Sequence, residues 1–350
     1  MIQNARQVVS AARVSTKNMK LDFNNLLIVP KETSTINSRS EIHPFTSDGY
    51  LPLITAPMDT VVTRENILMY LGNKINLCMP RYETTINGFG FESFSISRLS
   101  EMIDAHTIIQ EYSYLVDVAN GHMDSVLELT KKFKAAYPNT ILMVGNVANP
   151  ETYQILSDAG ADYVRIGIGN GAGCLTTEQT GVGYPMASLI KECYDVSLTL
   201  THPAFIVADG GMRSYSDIIK ALALGADYVM LGSIFNKALE SSGENYIFKK
   251  IKISQKTAEI LYRNGFTIYK KFRGMSTKEV QRKWGNEITK TSEGVIRFRK
   301  VEYTLGQWCE NFEHYLRSAM SYSGAQNLKE FIGQAKIIEI SDQAYKRFNK

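Results

Sequence analysis

A cysteine lies in a glycine-rich loop, GIGNGAGCLTTEQTGVGYP, residues 167–185. Glycines at 167, 169 and 171 precede Cys174, and Gly181 and Gly183 follow it. Such glycines let backbone amides and carbonyls face a ligand or a cation. A thiol among those groups is a candidate nucleophile with a lowered pKa, although the pattern equally suits a plain turn with a buried cysteine. Asp209-Gly210-Gly211 and Gly232-Ser233 each end another apolar run. Loops of that kind hold phosphate through backbone N–H groups, with Asp209 placed to accept from ribose hydroxyls. Asp117 and Asn120 (DVANGH) either contact a ligand or cap the next helix, and Asp59 (PMDTV) carries the same ambiguity. His122 reads as a surface or cap residue. Further on, Gly274-Met275-Ser276 and Lys290-Thr291-Ser292-Glu293-Gly294 are small polar clusters. There Glu293 is placed to be an acid/base group or a base-recognition carboxylate.

These residues need a frame, and the apolar runs supply one. They are 51–57, 75–79, 89–96, 114–119, 140–144, 163–168, 204–208 and 228–231. Continuous apolar strands imply a parallel sheet buried on both faces, with helical crossovers. The intervening segments 123–137, 151–159 and 216–224 have helical spacing. AGADYV (159–164) and LGADYV (224–229) mark two equivalent helix-to-strand junctions, each with a C-cap glycine. Eight strand–helix units predict a closed (β/α)8 TIM barrel, an α/β fold with chemistry on the loops after the strands; an open doubly wound sheet is the alternative. Residues 244–302 break the pattern. They are rich in Lys, Arg, Thr and Asn with weak periodicity, as an active-site flap would be. Residues 304–332 return to helix as a helical tail. The expectation is one domain over 1–350, with no regulatory insert.

The bulk composition narrows the class. With 44% hydrophobic and 21% charged residues the 350-residue chain reads as an ordinary globular protein. A net charge of +4 suits a small anionic substrate. No dense basic stripe is visible, the nearest being 290–300, interrupted by apolar residues, so no nucleic-acid partner is expected. The four cysteines have no CxxC pair, which argues against disulfides and zinc. The polar N-terminus and the lack of a long apolar run point to a cytoplasmic protein without a membrane partner.

The chain resembles the IMP dehydrogenase/GMP reductase family over nearly its whole length. The matching stretches are LDFNNLLIVPKETSTINSRSEI (21–42), APMDTV (56–61), DVANGH (117–122), GNV (145–147), the Cys174 loop, ADGG (208–211), GADYVMLGS (225–233), FRGMS (272–276) and LRSAM (316–320). Ser38-Arg39, DVANG and GVGYP have the flavour of the reductase branch. Glu293 follows Ser276 by only 17 positions, and no Arg-Tyr dyad lies between them to activate water for hydrolysis. The resemblance therefore implies an oxidoreductase, NADPH-dependent reductive deamination of GMP to IMP. The alternatives are IMP dehydrogenase-like oxidation of IMP with NAD, or a non-catalytic purine-nucleotide-binding barrel.

The resemblance also implies roles. Cys174 would attack C2 of the purine, with Thr176 and Glu293 in proton transfer. Asp209, Gly210, Gly211, Gly232 and Ser233 would hold ribose and phosphate. Gly274, Met275, Ser276, Lys290, Ser292 and Gly294 would hold the base. Ser38, Arg39, Asp117, Val118, Ala119, Ile168 and Gly169 would line the NADPH site, with Ser318 and Ser321 reaching a neighbour's cofactor in a homotetramer. A monovalent cation (K+) at Gly169, Gly171 and Cys174 would complete the loop. The chain departs from the family at Pro80, where a lysine is usual, and at Ala172, Leu175, Thr177 and Lys290.

Overall fold

The computed structural model describes residues 19–275, 277–283 and 294–348. An outer strand, β1 (Leu26–Ile28), precedes the eight strands read from the apolar runs. Those are β2 (Leu53–Thr55), β3 (Cys78–Met79), β4 (Phe91–Phe94), β5 (Ser113–Asp117), β6 (Leu142–Val147), β7 (Tyr163–Ile166), β8 (Phe205–Asp209) and β9 (Tyr228–Leu231). They form one parallel sheet in the order β2-β9-β8-β7-β6-β5-β4-β3. Ile54 bridges to Asn76, and the Thr55 amide donates to the Asn76 carbonyl at 3.0 Å. The two edges thus meet, which rules out the open sheet and gives the TIM barrel.

The barrel interior is packed. Ile54, Cys78, Leu115, Met143, Val207 and Met230 fill it as one apolar cluster, while the opposite strand faces pack on the helices. Helix Asp124–Ala136 buries Val126, Leu129 and Phe133, each worth roughly 2 kcal/mol of transfer free energy. Helix Tyr215–Leu224 starts at a Ser214/Asp217 capping box and stops at Gly225, whose φ of +120° suits a residue without Cβ.

One expectation fails: the unit after β3 has no helix. Residues 80–90 run directly to β4 through turns. Pro80 opens the segment, Tyr82 and Asn87 have positive φ, and Gly88 and Gly90 close it, so too few helix-forming residues remain for even two turns.

The excursion is also more regular than its weak periodicity suggests. β10 (Asn245–Ile247), β11 (Ile251–Ile253), β12 (Tyr269–Arg273) and β13 (Ile296–Lys300) form an antiparallel sheet in the order β11-β10-β12-β13. Helix Gln255–Arg263 covers one face, with Ala258 and Leu261 packed against Ile247, Ile253 and Ile268. The other face bears charged and aromatic residues, so the strands lack the apolar runs of the barrel. The chain then forms the outer barrel helix Leu305–Ser323, and β14 (Ile337–Glu339) pairs antiparallel with β1. Among the described residues, no helix is long and apolar enough to cross a membrane.

Candidate active site

The glycine-rich loop leaves the C-terminal end of β7. Cys174 is the one cysteine of the four that is not buried. Burial pushes the thiols of Cys78 and Cys309 up to about 12, and that of Cys193 up as well, which keeps them protonated core residues. The Cys174 thiol donates to Thr176 Oγ1 at 3.2 Å. Its amide donates to the Gly171 carbonyl at 2.9 Å, so the loop turns back and presents the sulfur.

Glycines let the loop touch its neighbours along bare backbone. A Cβ on Gly210 would stand 2.8 Å from the Gly171 nitrogen, and one on Gly173 would stand 3.0 Å from the Gly274 Cα. The loops after β7 and β8 and the end of β12 therefore meet at a spacing that side chains would forbid. Cys174 forms an antiparallel bridge with Gly294. The Val295 amide donates to the Gly173 carbonyl at 3.2 Å, and the Gly274 amide to the Val295 carbonyl at 3.0 Å. Gly274 and Gly294 are thus brought to the Cys174 loop, and Met275 continues from Gly274. Ser276, Lys290, Ser292 and Glu293 lie outside the described residues.

Asp209 ends β8 as expected, but its carboxylate is already engaged. Asn146 Nδ2 donates both to Asp209 Oδ2 at 2.9 Å and to the Gly167 carbonyl at 2.7 Å. Burial pushes the Asp209 carboxyl up, and Arg165 and Asn146 pull it back. Arg165, 4% exposed on β7, donates to Asp117 Oδ1 at 2.6 Å, and its Nε stands 3.9 Å from Asp209 Oδ2. Arg81 approaches Asp117 from the other side, Nε to Oδ2 at 3.3 Å, and also donates to the Asp117 carbonyl. A charged chain, Arg81–Asp117–Arg165–Asp209, therefore lies across the barrel mouth. Asp117 caps no helix: Asp124–Ala136 starts at Met123 without a side-chain cap. Asn120 Oδ1 accepts from the His122 amide at 3.1 Å. His122 Nε2 accepts from the Ala148 amide at 3.0 Å, which leaves Nδ1–H to face Thr152 Oγ1 at 2.9 Å. Burial also lowers its pKa, so it is a neutral structural tie.

Gly232 follows β9, and Ser233 begins a one-turn helix, Ser233–Asn236. A Cβ on Gly232 would stand 2.9 Å from Met58 Sδ, which brings the loop after β2 into the same mouth. Beside Met58, Asp59 pairs with Arg273, the last residue of β12, and Arg273 also pairs with Glu279. Arg273 is 4% exposed.

The remaining expected residues lie in two places. Ser38 caps the short turn Arg39–Glu41, and Arg317 donates to the Arg39 carbonyl at 3.4 Å. Both thus lie against the helix that carries Ser318 and Ser321. Among the described residues, none of the hydrogen bonds made by Ser38 or Arg39 reaches the Cys174 loop. Asp117, Val118, Ile168 and Gly169 do lie at the mouth. Ile168 is buried in the loop after β7, and the Arg81–Asp117 pair supplies a hydrogen-bond donor and an acceptor, a set suited to a carboxamide. The residues of the expected cation loop make these contacts. The Gly171 carbonyl already takes the Cys174 amide, and Thr177, whose hydroxyl donates to the Val182 carbonyl at 2.7 Å, packs directly on Gly169.

Sequence reasoning missed Arg81, Asn146, Arg165 and Arg273. The available signal was the arginine that interrupts the apolar strand YVRI (163–166), since a buried charge requires partners.

Residues 88–348 match the sequence model of the IMP dehydrogenase / GMP reductase domain. A GMP reductase of Phytophthora infestans is 29% identical, covering 97% of this chain and 95% of its own. GMP reductase 2 of Homo sapiens is 30% identical over 95% of this chain and 98% of its own. The GMP reductase of Buchnera aphidicola matches to the same extent, 30% identical over 95% and 98%.

Proposed function

The chain belongs to the IMP dehydrogenase/GMP reductase family, and on that premise we propose that it is a GMP reductase, converting GMP to IMP and ammonia with NADPH. The observation that carries this reading is the Cys174 thiol hydrogen-bonded to Thr176 at 3.2 Å, bridged to Gly294 at the mouth of the barrel. A dehydrogenase would need a water-activating pair, and the segment between Ser276 and Glu293 holds no Arg-Tyr dyad.

In the proposed reaction Cys174 attacks C2 of the guanine, and its proton leaves towards Thr176. The 2-amino group departs as ammonia, taking protons relayed by Thr176 and Glu293, the residue next to Gly294. A bound reduced nicotinamide supplies the hydride that C2 needs. Expulsion of the Cys174 thiolate then frees IMP, with two protons consumed and ammonium released. Asp209, Gly210, Gly211, Gly232 and Ser233 hold the ribose phosphate at the ends of β8 and β9, and Gly274 and Met275 face the base. Arg165 keeps Asp117 and Asp209 in place on either side of the reacting centre, and Arg81 with Asp117 orients the nicotinamide amide. No step is routed through a cation. The enzyme is proposed to act in the cytoplasm as a homotetramer, in which Ser318 and Ser321 complete a neighbour's cofactor site.

The test is loss of near-ultraviolet absorbance of NADPH in the presence of GMP, with IMP identified as product. Cys174→Ala is expected to abolish turnover yet retain nucleotide binding. Unchanged turnover in that variant would overturn the mechanism. A parent enzyme inactive on GMP but active on IMP plus NAD would overturn the direction.

A further inference from the structure

The Cys174 loop carries a short helix, Thr176–Thr180, that buries none of its residues. A helix of that length has no stability of its own in water, so its place beside Cys174 depends on ties to the rest of the loop. Thr177 makes two of them. Its carbonyl accepts from the Gly181 amide at 3.0 Å, and its hydroxyl donates to the Val182 carbonyl at 2.7 Å. Its side chain also stands between the two limbs of the loop. A Cβ on Gly169 would fall 1.7 Å from Thr177 Oγ1. One on Gly183 would fall 2.5 Å from the same oxygen and 3.2 Å from Thr177 Cγ2, with the Ile168 carbonyl next at an ordinary 3.4 Å. Both glycines thus leave room for one and the same side chain. One residue further along each limb, Asn170 Nδ2 donates to the Tyr184 carbonyl at 3.1 Å and closes the base of the loop.

The geometry points to Thr177 as a positioning residue, a wedge between Gly169 and Gly183 that fixes the helix on which Thr176 faces Cys174. The inference rests on the roles proposed above for Cys174 and Thr176. Thr177 acts through its neighbour, whose hydroxyl stands 3.2 Å from the Cys174 sulfur. No core side chain of the helix resists a tilt, so loosening the wedge moves Thr176 before it disturbs the barrel. Proton transfer is sensitive to such small displacements, and the loss therefore falls on rate rather than on global stability. Satisfying the Val182 carbonyl alone would not call for this arrangement. That carbonyl lies in an exposed turn, where water could serve it, and two glycines would not be needed to admit the hydroxyl.

The experiment combines steady-state kinetics of the full chain on GMP and NADPH with the rate of Cys174 alkylation by iodoacetamide. Cys174 is the one cysteine of the four that is not buried, so the alkylation reports on it alone. Thr177→Val should lower kcat about fivefold, the worth of one hydrogen bond, with KM and the melting temperature unchanged. Thr177→Ser, which keeps the donor, should restore the rate. In a Thr176→Val background Thr177→Val should cost nothing further, because the group it positions is gone. Gly183→Ala should lower kcat about tenfold in the parent, yet add nothing in Thr177→Ala, where the methyl has room. Alkylation should rise severalfold in Thr177→Val and in Gly183→Ala, since a loosened loop exposes the sulfur. Parent-like kcat and alkylation in Thr177→Val would overturn the inference. So would full additivity of Thr176→Val with Thr177→Val, or equal damage from Gly183→Ala in both backgrounds. Alkylation needs neither GMP nor NADPH. A parent inactive on GMP that still shows the alkylation pattern would keep the wedge and refute the proposed reaction.

Discussion

Arg273→Met tests how the excursion is held against the loop of the proposed nucleophile, Cys174. Arg273 is the last residue of β12, and the next residue, Gly274, touches Gly173 of the cysteine loop. Its guanidinium pairs with Asp59 on the β2 loop and Glu279 in the excursion, whose side chains are 23% and 40% exposed. Breaking a wholly buried pair costs about 3–5 kcal/mol, because the partner charge is stranded. Here both carboxylates retain some water, so the expected loss is nearer 2 kcal/mol. If 1.4 kcal/mol of that loss appears as displacement of Gly274 from Cys174, kcat falls about tenfold. Urea unfolding gives the first quantity and steady-state kinetics with GMP the second. The fall should lie in kcat more than in KM, because the contact orders the nucleophile loop. Arg273→Lys should recover only part of the rate, since an ammonium lacks the forked geometry that reaches two carboxylates. Asp59→Asn combined with Arg273→Met should regain stability without regaining rate. A variant less stable than the parent but equal in kcat would refute the positioning role and leave Arg273 as a structural tie.

Three other outcomes follow from the site and its surroundings. Gly274→Ala should lower kcat/KM at least tenfold with little loss of global stability, because the new methyl collides with the Gly173 carbonyl and parts the flap from the loop; steady-state kinetics beside a thermal melt check it. Thr176→Val removes the hydroxyl 3.2 Å from the Cys174 sulfur and should cut kcat by about 10²-fold, the lower range for a lost proton-transfer group; a parent-like pH–rate profile would exclude Thr176 from the relay. Lys270 is fully buried on β12, bonded to the Ser241 carbonyl and Gln255 Oε1, and burial pushes its ammonium down to about 7 against the opposing pull of Glu240 and Glu259. The unfolded chain holds that proton to about pH 10.4, so stability should rise between pH 7 and 10 as the unfolded state binds more protons; urea midpoints for Lys270→Met should show that rise abolished.

The parts of the fold that could be read from the sequence are those specified by near neighbours in the chain. Each barrel strand is buried on both faces, so runs such as TILMV and AFIVA mark themselves. The glycines around Cys174 were equally visible, because close backbone approach excludes every other residue type. The strands β10–β13 escaped detection because their open face carries lysine and tyrosine, and because Phe248 and Lys249 both take positive φ in a hairpin turn without glycine or asparagine. The missing helix after β3 was a matter of local breakers that an expectation of eight identical units overrode.

The site's charged residues were hidden for a different reason. Arg165 is tolerable inside the barrel because Asp117, which ends β5 two strands away, and Asp209, which ends the adjacent β8, reach it from 48 and 44 residues away in sequence. Arg273 is shared between Glu279, close by in the chain, and Asp59, 214 residues earlier, which comes up from the β2 loop. A buried charge reports that partners exist but not which ones, since desolvation is repaid by any carboxylate within reach. In a closed parallel barrel the strand ends converge in space while remaining a whole strand–helix unit apart in the chain. Pairing across the mouth is therefore a property of the closed sheet, and no local pattern encodes it. Cys174 could be singled out as the candidate nucleophile from its own loop, but the charged groups across the mouth could not.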